Sequence, residues 1–234
     1  MAVLLDCGGL SVSEVAASEY GLITMTIAFA LSGGSSLGSV QVGMMQALGD
    51  QGISPDLVVG TSAGAIIAVW VAGGRPLDEL AELWHTLGRK DIFPLHAASG
   101  LRAFLGKSNH FIQNRALRRL LKRIVTFDQL QDAQIPVTVI ATDAINGDEV
   151  RLDSGPTVEA VLASSAIPGV FPAVEIDGRL LMDGGVVNNT PITAAIDAGA
   201  SGDYVLSTGF ACTGTAVPRG AIAAALHAVG ILGQ

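Results

Sequence analysis

Hydrophobic residues along the chain alternate between short β-type runs and longer helical runs. Residues 23–31 alternate and are rich in β-branched side chains, which predicts a strand, and the loop SGGSSLG follows them. Apolar residues then recur at helical spacing from Val42 to Leu48, which predicts a helix. The same order of strand and helix is repeated up to Gly88 and indicates a parallel sheet flanked by helices.

One uncharged, mainly apolar stretch runs for eighteen residues from Leu57 to Gly74. A helix of that length extends about 27 Å, which barely equals the hydrocarbon thickness of a membrane. The pattern changes in the middle, however, because LVVG is typical of a buried strand that ends in a turn. Residues 63–72 are apolar on every side, as in a helix covered by other elements. We therefore interpret the stretch as strand, turn and central helix.

The second half of the chain contains further elements of both kinds. Residues 135–152 predict two strands joined at Asn146-Gly147, which is a strong hairpin signal. The other predicted elements are a helix from Pro76 to Gly88, a helix near 109–124, a helix in 156–172 ended by Pro168, a strand in 179–183, a helix in 192–200 and a strand in 203–208.

Composition restricts the class of protein. With 50% hydrophobic and 15% charged residues the chain is not intrinsically disordered, and 234 residues suffice for one α/β domain. Two cysteines are too few for a disulfide framework, and the first residues lack the basic start of a secretory signal, so we expect a cytoplasmic location. We expect one main domain in 25–210, a disordered N-terminal extension in 1–24 and a helical segment of the same domain in 211–234.

The net charge of −8 is unevenly distributed, because residues 92–127 contain seven cations and no acidic residue. The acidic overall balance and the lack of interleaved aromatic residues argue against nucleic acid binding. Within 109–124 the cations fall on one helical face and leucines on the other. Such a helix is either an interfacial helix that makes peripheral contact with anionic membranes or the solvated face of an ordinary surface helix. The cations on this face are Arg115, Arg118, Arg119, Lys122 and Arg123.

A candidate nucleophile interrupts the uncharged stretch. The residues from Gly60 to Gly64 fit Gly-x-Ser-x-Gly, in which a serine on a sharp turn exposes its hydroxyl at a helix N-terminus. Short Gly/Ser strings arise by chance, so the motif alone is a weak signal. The predicted strand before Ser62 and the apolar helix after it supply the structural context that this turn requires.

A serine nucleophile also needs an oxyanion site. The loop 32–38 follows the first strand and opens a helix that begins near Gly38, so the N–H groups of Gly33, Gly34 and Ser35 can point at one anionic atom. A phosphate-binding loop is the alternative, but its Gly-Lys-Ser/Thr ending is absent. An oxyanion hole explains the loop better.

Two residues are candidates for the base. Asp183 ends an apolar strand and enters the turn Gly184-Gly185, although Asp-Gly-Gly is more often a simple turn. His227 is the only histidine after Asp183, as the order Ser, Asp, His of α/β-hydrolases requires, but it lies in an alanine-rich segment. The residues alone leave both candidates open.

Four motifs together resemble the patatin-like phospholipase family: ALSGGSSLGSVQVGMMQAL, GTSAG, SSAIPGVFP and DGGVVNNTPI. They follow the order and spacing of that family over residues 25 to about 208. The resemblance implies a three-layer α/β/α sandwich with a mostly parallel central sheet, and a dyad of Ser62 as nucleophile and Asp183 as base, without a metal or cofactor. It also implies that the partner is a lipid or acyl-ester substrate, which the protein hydrolyses.

Two positions of the glycine loop depart from the family pattern. The family usually has a third glycine, a small residue and a cation where this chain has Ser35, Ser36 and Leu37. If position 35 requires a positive φ, the serine costs about 1–2 kcal/mol. The missing cation removes support for a preference for anionic substrates. These departures keep open a second function, that of a catalytically weak lipid-binding or regulatory protein.

Overall fold

The computed structural model describes residues 25–88, 92 and 112–208. The predicted N-terminal extension, the predicted C-terminal helical segment with His227, and residues 109–111 of the predicted basic helix lie outside the described residues.

A mixed β-sheet forms the centre of the described part of the chain. The paired strands follow the order β5-β6-β3-β2-β1-β7, and β4 also pairs with β3. The strands are β1 (Ile27–Leu31), β2 (Leu57–Thr61), β3 (Val137–Asp143), β4 (Glu149–Leu152), β5 (Val174–Ile176), β6 (Arg179–Asp183) and β7 (Gly202–Leu206).

The predicted parallel sheet is confirmed for β7, β1, β2 and β3, which are all parallel neighbours. The pairs β3-β4, β3-β6 and β5-β6 are antiparallel, so the sheet as a whole is mixed. The predicted hairpin at Asn146-Gly147 joins β3 to β4. Strand β5 was not predicted because it has only three residues, although the turn Asp177-Gly178 that follows it is a typical hairpin turn.

Helices cover both faces of the sheet, as the predicted three-layer fold requires. Alternate residues of β1 face opposite sides: Phe29 and Leu31 belong to the larger core, while Ala28 and Ala30 belong to a smaller core with Ala194 and Ala195. The helices are α1 (Gly38–Asp50), α2 (Ala63–Ala72), α3 (Leu77–Thr86), α4 (Arg115–Ile124), α5 (Thr157–Ser164) and α6 (Ile192–Asp197).

Helix α2 is the central helix that the uncharged stretch predicts. It begins directly after β2 and Ser62, and nine of its ten residues are buried. The absence of charge therefore reflects burial on every side of the helix. Among the residues that the structure describes, no helix is long and apolar enough to cross a membrane.

The basic helix α4 begins at Arg115, whereas the pattern predicted a start near 109. Its apolar face is buried in the larger core, and Arg118 forms a bidentate ion pair with Glu159 of α5. The other cations of the helix are exposed. This arrangement is that of an amphipathic surface helix that covers the core, so the apolar face is not available to lipid.

Truncation of the buried face of α4 should destabilise the fold. Leu121 is completely buried, so Leu121→Ala should lower the free energy of unfolding by about 2–5 kcal/mol in urea titrations. The adjacent exposed residue supplies the control, because Lys122→Ala should change it by no more than about 0.5 kcal/mol. Equal effects of the two variants would contradict the packing described here.

Candidate active site

Parallel strands bring the glycine loop and the candidate nucleophile to one edge of the sheet. Strands β1 and β2 are parallel neighbours, so the loop after Leu31 and the turn at Ser62 leave the sheet at the same edge. Ligands of open α/β sheets bind outside this carboxyl edge. The sheet topology therefore places the two predicted parts of the site side by side.

Asp183 reaches the same place from the opposite direction. In β3, Ile140 pairs with Thr61 of β2, and the next residue, Ala141, pairs with Asp183 of β6. The same two residues of β3 pair with β4 on their other side, so β2 and β6 lie along one edge of β3. Because β2 and β6 run in opposite directions, their carboxyl ends meet there. This meeting point brings Ser62 next to Asp183.

The turn at Ser62 has the strained geometry of a nucleophile elbow. Ser62 adopts φ 54° and ψ −116°, a conformation that costs free energy for any residue with a Cβ atom. A Cβ atom at Gly60 would collide with the backbone of Gly64, and one at Gly64 would collide with the carbonyl of Leu31. The Ser62 N–H donates to the hydroxyl of Ser164 at 2.8 Å. Both motif glycines are thus required by close backbone contact.

A direct hydrogen bond joins the two predicted catalytic residues. Ser62 Oγ donates to Asp183 Oδ2 at 2.8 Å, and the Gly185 N–H donates to Asp183 Oδ1 at 2.8 Å. The backbone of Asp183 is held as well, because its carbonyl accepts from Thr142 Oγ1 and its N–H donates to the carbonyl of Ala166. The carboxylate is therefore fixed in one orientation against the hydroxyl.

Burial of Asp183 changes its acidity. The residue is only 6% exposed, and this burial raises the pKa of its carboxyl group from 3.8 to about 6. Hydrogen bonds from the Gly185 N–H and the Ser62 hydroxyl act in the opposite direction but do not cancel the effect of burial. A carboxylate with this pKa is still largely ionised at pH 7 and is a stronger base than an ordinary aspartate.

The glycine loop presents two of the three predicted N–H groups. The Gly33 N–H donates to the carbonyl of Asn189 at 3.0 Å, which corrects the prediction that it is available to an oxyanion. Among the described residues, no group accepts from the N–H of Gly34 or of Ser35. Ser35 adopts φ 52°, so the condition for strain at this position is met. Residues 35–37 form a 3-10 turn that leads into α1 at Gly38, which orients free N–H groups as at a helix N-terminus.

A cavity of about 1070 Å³ adjoins these groups. This volume is at the upper end for sites that hold a small molecule. Asp183 is the only carboxylate among the described lining residues, and they include no lysine or arginine. The apolar part of the lining includes Val42, Ile66, Trp84, Leu117, Ile167 and Phe171.

Several contacts at the site were not predicted from the sequence. They involve Ser164, Asn189 and Thr208, each of which contacts the elbow or the glycine loop from a distant segment. One signal was present for Thr208, since it ends the predicted last strand 203–208, at the carboxyl edge where β1 and β2 also end. No group of His, Cys, Asp and Glu residues that could hold a metal ion occurs among the described residues.

Sequence comparisons agree with the resemblance. The family model for patatin-like phospholipase matches residues 29–196. An NTE family protein of Mycobacterium tuberculosis is 33% identical over 181 residues, which cover 77% of this chain and 48% of that protein. Patatin-like phospholipase domain-containing protein 6 of Homo sapiens is 29% identical over 187 residues, 79% of this chain and 13% of that protein. Lysophospholipase NTE1 of Mycosarcoma maydis is 27% identical over 201 residues, 84% of this chain and 10% of that protein.

The chain thus spans about half the length of the mycobacterial relative and a smaller share of the other two. In a comparison of structures, VipD from Legionella pneumophila superimposes with a TM-score of 0.51 at 17% identity, covering 71% of this chain and 47% of that one. The similarity between VipD and this chain shows that the two share a fold.

The buried carboxylate should make stability depend on pH. Because the pKa of Asp183 is about 6 in the folded protein and about 3.8 when it is solvated, the folded state is favoured at low pH, and this contribution is lost as the pH rises through 6. The stability of Asp183→Asn relative to the wild type should therefore increase by about 2.4 kcal/mol between pH 4 and pH 8, as measured by urea unfolding.

The control for this measurement is Gln51→Ala, which replaces an exposed side chain without a titratable group at the end of α1. Its effect on stability should be nearly the same at both pH values. A constant difference between Asp183→Asn and the wild type would contradict the proposed effect of burial.

Proposed function

The chain belongs to the patatin-like phospholipase family, and from this membership and the geometry of Ser62 and Asp183 we propose that it is a serine lipid acyl hydrolase. The observation that carries the proposal is the 2.8 Å hydrogen bond from the elbow serine to a buried carboxylate beside a large, mainly apolar cavity. The name of one relative, a lysophospholipase, supports an ester of a lipid as substrate.

In the proposed first step, Ser62 Oγ attacks the ester carbonyl carbon while Asp183 Oδ2 accepts the hydroxyl proton. The carbonyl oxygen becomes an oxyanion, which accepts hydrogen bonds from the N–H groups of Gly34 and Ser35. When the bond to the alcohol breaks, Asp183 returns the proton to the leaving oxygen. The products of this step are a free alcohol and an acyl group esterified to Ser62.

In the second step a water molecule attacks the acyl group. Asp183 accepts a proton from the water, and the same N–H groups stabilise the second oxyanion. The bond to Ser62 then breaks, and its oxygen takes the proton from Asp183. A carboxylic acid is released and the starting state is restored.

Two features of the fold support this chemistry. The raised pKa of Asp183 brings the base closer to neutral pH, where it remains ionised but accepts a proton more readily. Ser62 lies at the N-terminus of α2, where the positive end of the helix dipole favours the negative charge that develops during attack.

The cavity supports a substrate with an acyl chain. Its wall includes side chains from α1, α2, α3 and α4, so the space next to Ser62 is bounded by the larger core. Each methylene group that leaves water contributes about 0.8 kcal/mol. We therefore propose that the acyl chain of the substrate occupies this cavity.

The two alternative functions receive less support from the geometry. A triad with His227 requires an imidazole between the serine and the aspartate, whereas Ser62 donates directly to Asp183. Catalytically weak lipid binding was suggested by Ser35 and Leu37. Ser35, however, adopts the positive φ that the usual glycine allows and keeps its N–H group.

We also propose a peripheral membrane contact through the exposed cations of α4. Because the apolar face of the helix is buried, this contact is electrostatic and does not involve insertion of the helix. The exposed cations are Arg115, Arg119, Lys122 and Arg123.

Hydrolysis of p-nitrophenyl esters of increasing chain length tests the proposed activity. The wild type should hydrolyse them with a kcat/KM that rises about fourfold per methylene until the cavity is filled, and activity should increase as the pH rises through about 6. Ser62→Ala should abolish turnover, and Asp183→Asn should lower kcat by about 10²–10⁴-fold. The matched control Ser154→Ala, an exposed loop serine, should retain full activity.

Other outcomes of this experiment favour the alternatives. Loss of activity in His227→Ala together with an active Asp183→Asn would support the triad. Lipid binding without turnover by the wild type would support the second function. Labelling by a fluorophosphonate that persists in Ser62→Ala would refute the assignment of the nucleophile.

Liposome flotation tests the membrane contact. The protein should float with vesicles that contain acidic lipid and remain unbound with neutral ones, because each cation near an anionic surface contributes about 1 kcal/mol. Replacement of Arg119, Lys122 and Arg123 by glutamine should weaken binding roughly fivefold per residue. Binding that is indifferent to lipid charge would exclude this role for the helix.

A further inference from the structure

The carbonyl of Gly33 is held by a residue outside the predicted motifs. Thr208 lies two residues beyond the end of β7, is 6% exposed, and donates from Oγ1 to the Gly33 carbonyl at 2.5 Å. Its N–H donates to Ser32 Oγ at 2.8 Å, and the two hydroxyl oxygens are 3.2 Å apart. Since the Thr208 hydroxyl has one proton and gives it to Gly33, Ser32 donates to Thr208. The two side chains thus form a closed, buried network around the start of the glycine loop.

This contact fixes the direction of the next N–H group. Among the described residues no peptide bond is cis, and in a trans peptide the carbonyl and the following N–H point in opposite directions. With the Gly33 carbonyl bound to Thr208, the Gly34 N–H must point away from Thr208. A flipped peptide would turn this N–H towards Thr208 and expose a carbonyl oxygen in its place, which repels an oxyanion.

The Gly33-Gly34 peptide needs such a restraint because neither residue has a Cβ atom. Glycine has access to conformations on both sides of the φ axis, so a peptide between two glycines flips more easily than others. Glycine is nevertheless required at position 34, where a Cβ atom would collide with the side chain of Thr208. Thr208 therefore excludes larger residues at position 34 and also restrains the mobile peptide that results.

Other contacts of the loop do not replace this hydrogen bond. Gln41 donates to the carbonyls of Ser32 and Leu206 and so connects the ends of β1 and β7, but these hydrogen bonds do not involve the Gly33-Gly34 peptide. The side-chain amide of Asn189 is 3.5 Å from the Gly33 carbonyl, which is too long for a strong hydrogen bond.

We propose that Thr208 is a positioning residue of the oxyanion hole, whose hydroxyl holds the Gly33-Gly34 peptide so that the Gly34 N–H is presented to the oxyanion. This inference rests on the proposed hydrolase function. Thr208 itself does not contact the reacting atoms, and its effect on the reaction is exerted through the peptide that it orients.

The test compares Thr208→Val, which keeps the shape but lacks the hydroxyl, with Thr208→Ser, which keeps the hydroxyl. In hydrolysis of a p-nitrophenyl ester, Thr208→Val should lower kcat about 10–100-fold, somewhat less than removal of an oxyanion donor, and leave KM within about threefold. Thr208→Ser should retain kcat within about threefold. The affinity for a trifluoromethyl ketone, whose adduct carries an oxyanion, should fall in Thr208→Val by the same factor as kcat.

The control is Thr126→Val, which removes the hydroxyl of an exposed threonine that contacts the Gly73 carbonyl outside the cavity lining, and it should leave kcat unchanged. Thr208→Ala replaces the valine variant if thermal unfolding shows that the latter does not fold. Three results would overturn the inference. They are a kcat of Thr208→Val equal to that of the wild type, a change in the KM of Thr208→Val without a change in its kcat, and equal losses of kcat in Thr208→Val and Thr208→Ser. A wild type that hydrolyses no ester would overturn the proposed function and this inference with it. If the wild type is active and Ser62→Ala is not, the proposed function holds, and an unaffected Thr208→Val then overturns only the role of Thr208.

Discussion

The close packing of helix α2 against the end of strand β1 determines where the groups of the site lie. A Cβ atom at Gly64 would lie 2.2 Å from the carbonyl oxygen of Leu31, so the first turn of the helix is too close to the strand to admit a side chain at this position. The same approach brings Ser62 beside the glycine loop, where a Cβ atom at Gly33 would lie 3.3 Å from Ser62 Cβ. Because α2 is buried almost completely, this arrangement has little freedom to relax. Main-chain contact therefore sets the distance between Ser62 and the start of the glycine loop.

The base depends on a different constraint, the meeting of two antiparallel strands along one edge of β3. A carboxylate in this position loses most of its hydration, and only the Gly185 N–H and the Ser62 hydroxyl compensate for the loss. The protein thus keeps an incompletely compensated charge inside the fold. Such destabilised groups are common at active sites, since a fully satisfied carboxylate would be a weaker base. The geometry of the sheet and the reactivity of Asp183 are consequences of the same packing.

Local features of the fold could be predicted from the sequence, and long-range ones could not. The strand, the turn at Ser62 and helix α2 follow from neighbouring residues, because the change of hydrophobic pattern and the glycines are within one short stretch. Asp183 was selected over His227 only through the resemblance, since spacing does not show which strand pairs with β3. Neither the Asn189 carbonyl that binds the Gly33 N–H nor Thr208 was predicted, because both contacts join segments more than 150 residues apart. These two contacts form only when the strands of the sheet have paired in their final register.

The wide separation of these segments has a consequence for how the protein acquires activity. Ser62 and Asp183 are 121 residues apart in the chain, and β7, which carries the segment that contacts the glycine loop, is the last strand of the described sequence. Contacts of such high sequence separation form late in folding, since the loops between them must close first. During synthesis the elbow leaves the ribosome long before the carboxylate and the final strand do. A partly made chain thus contains Ser62 without Asp183 or a complete glycine loop, so the proposed hydrolysis requires the whole sheet.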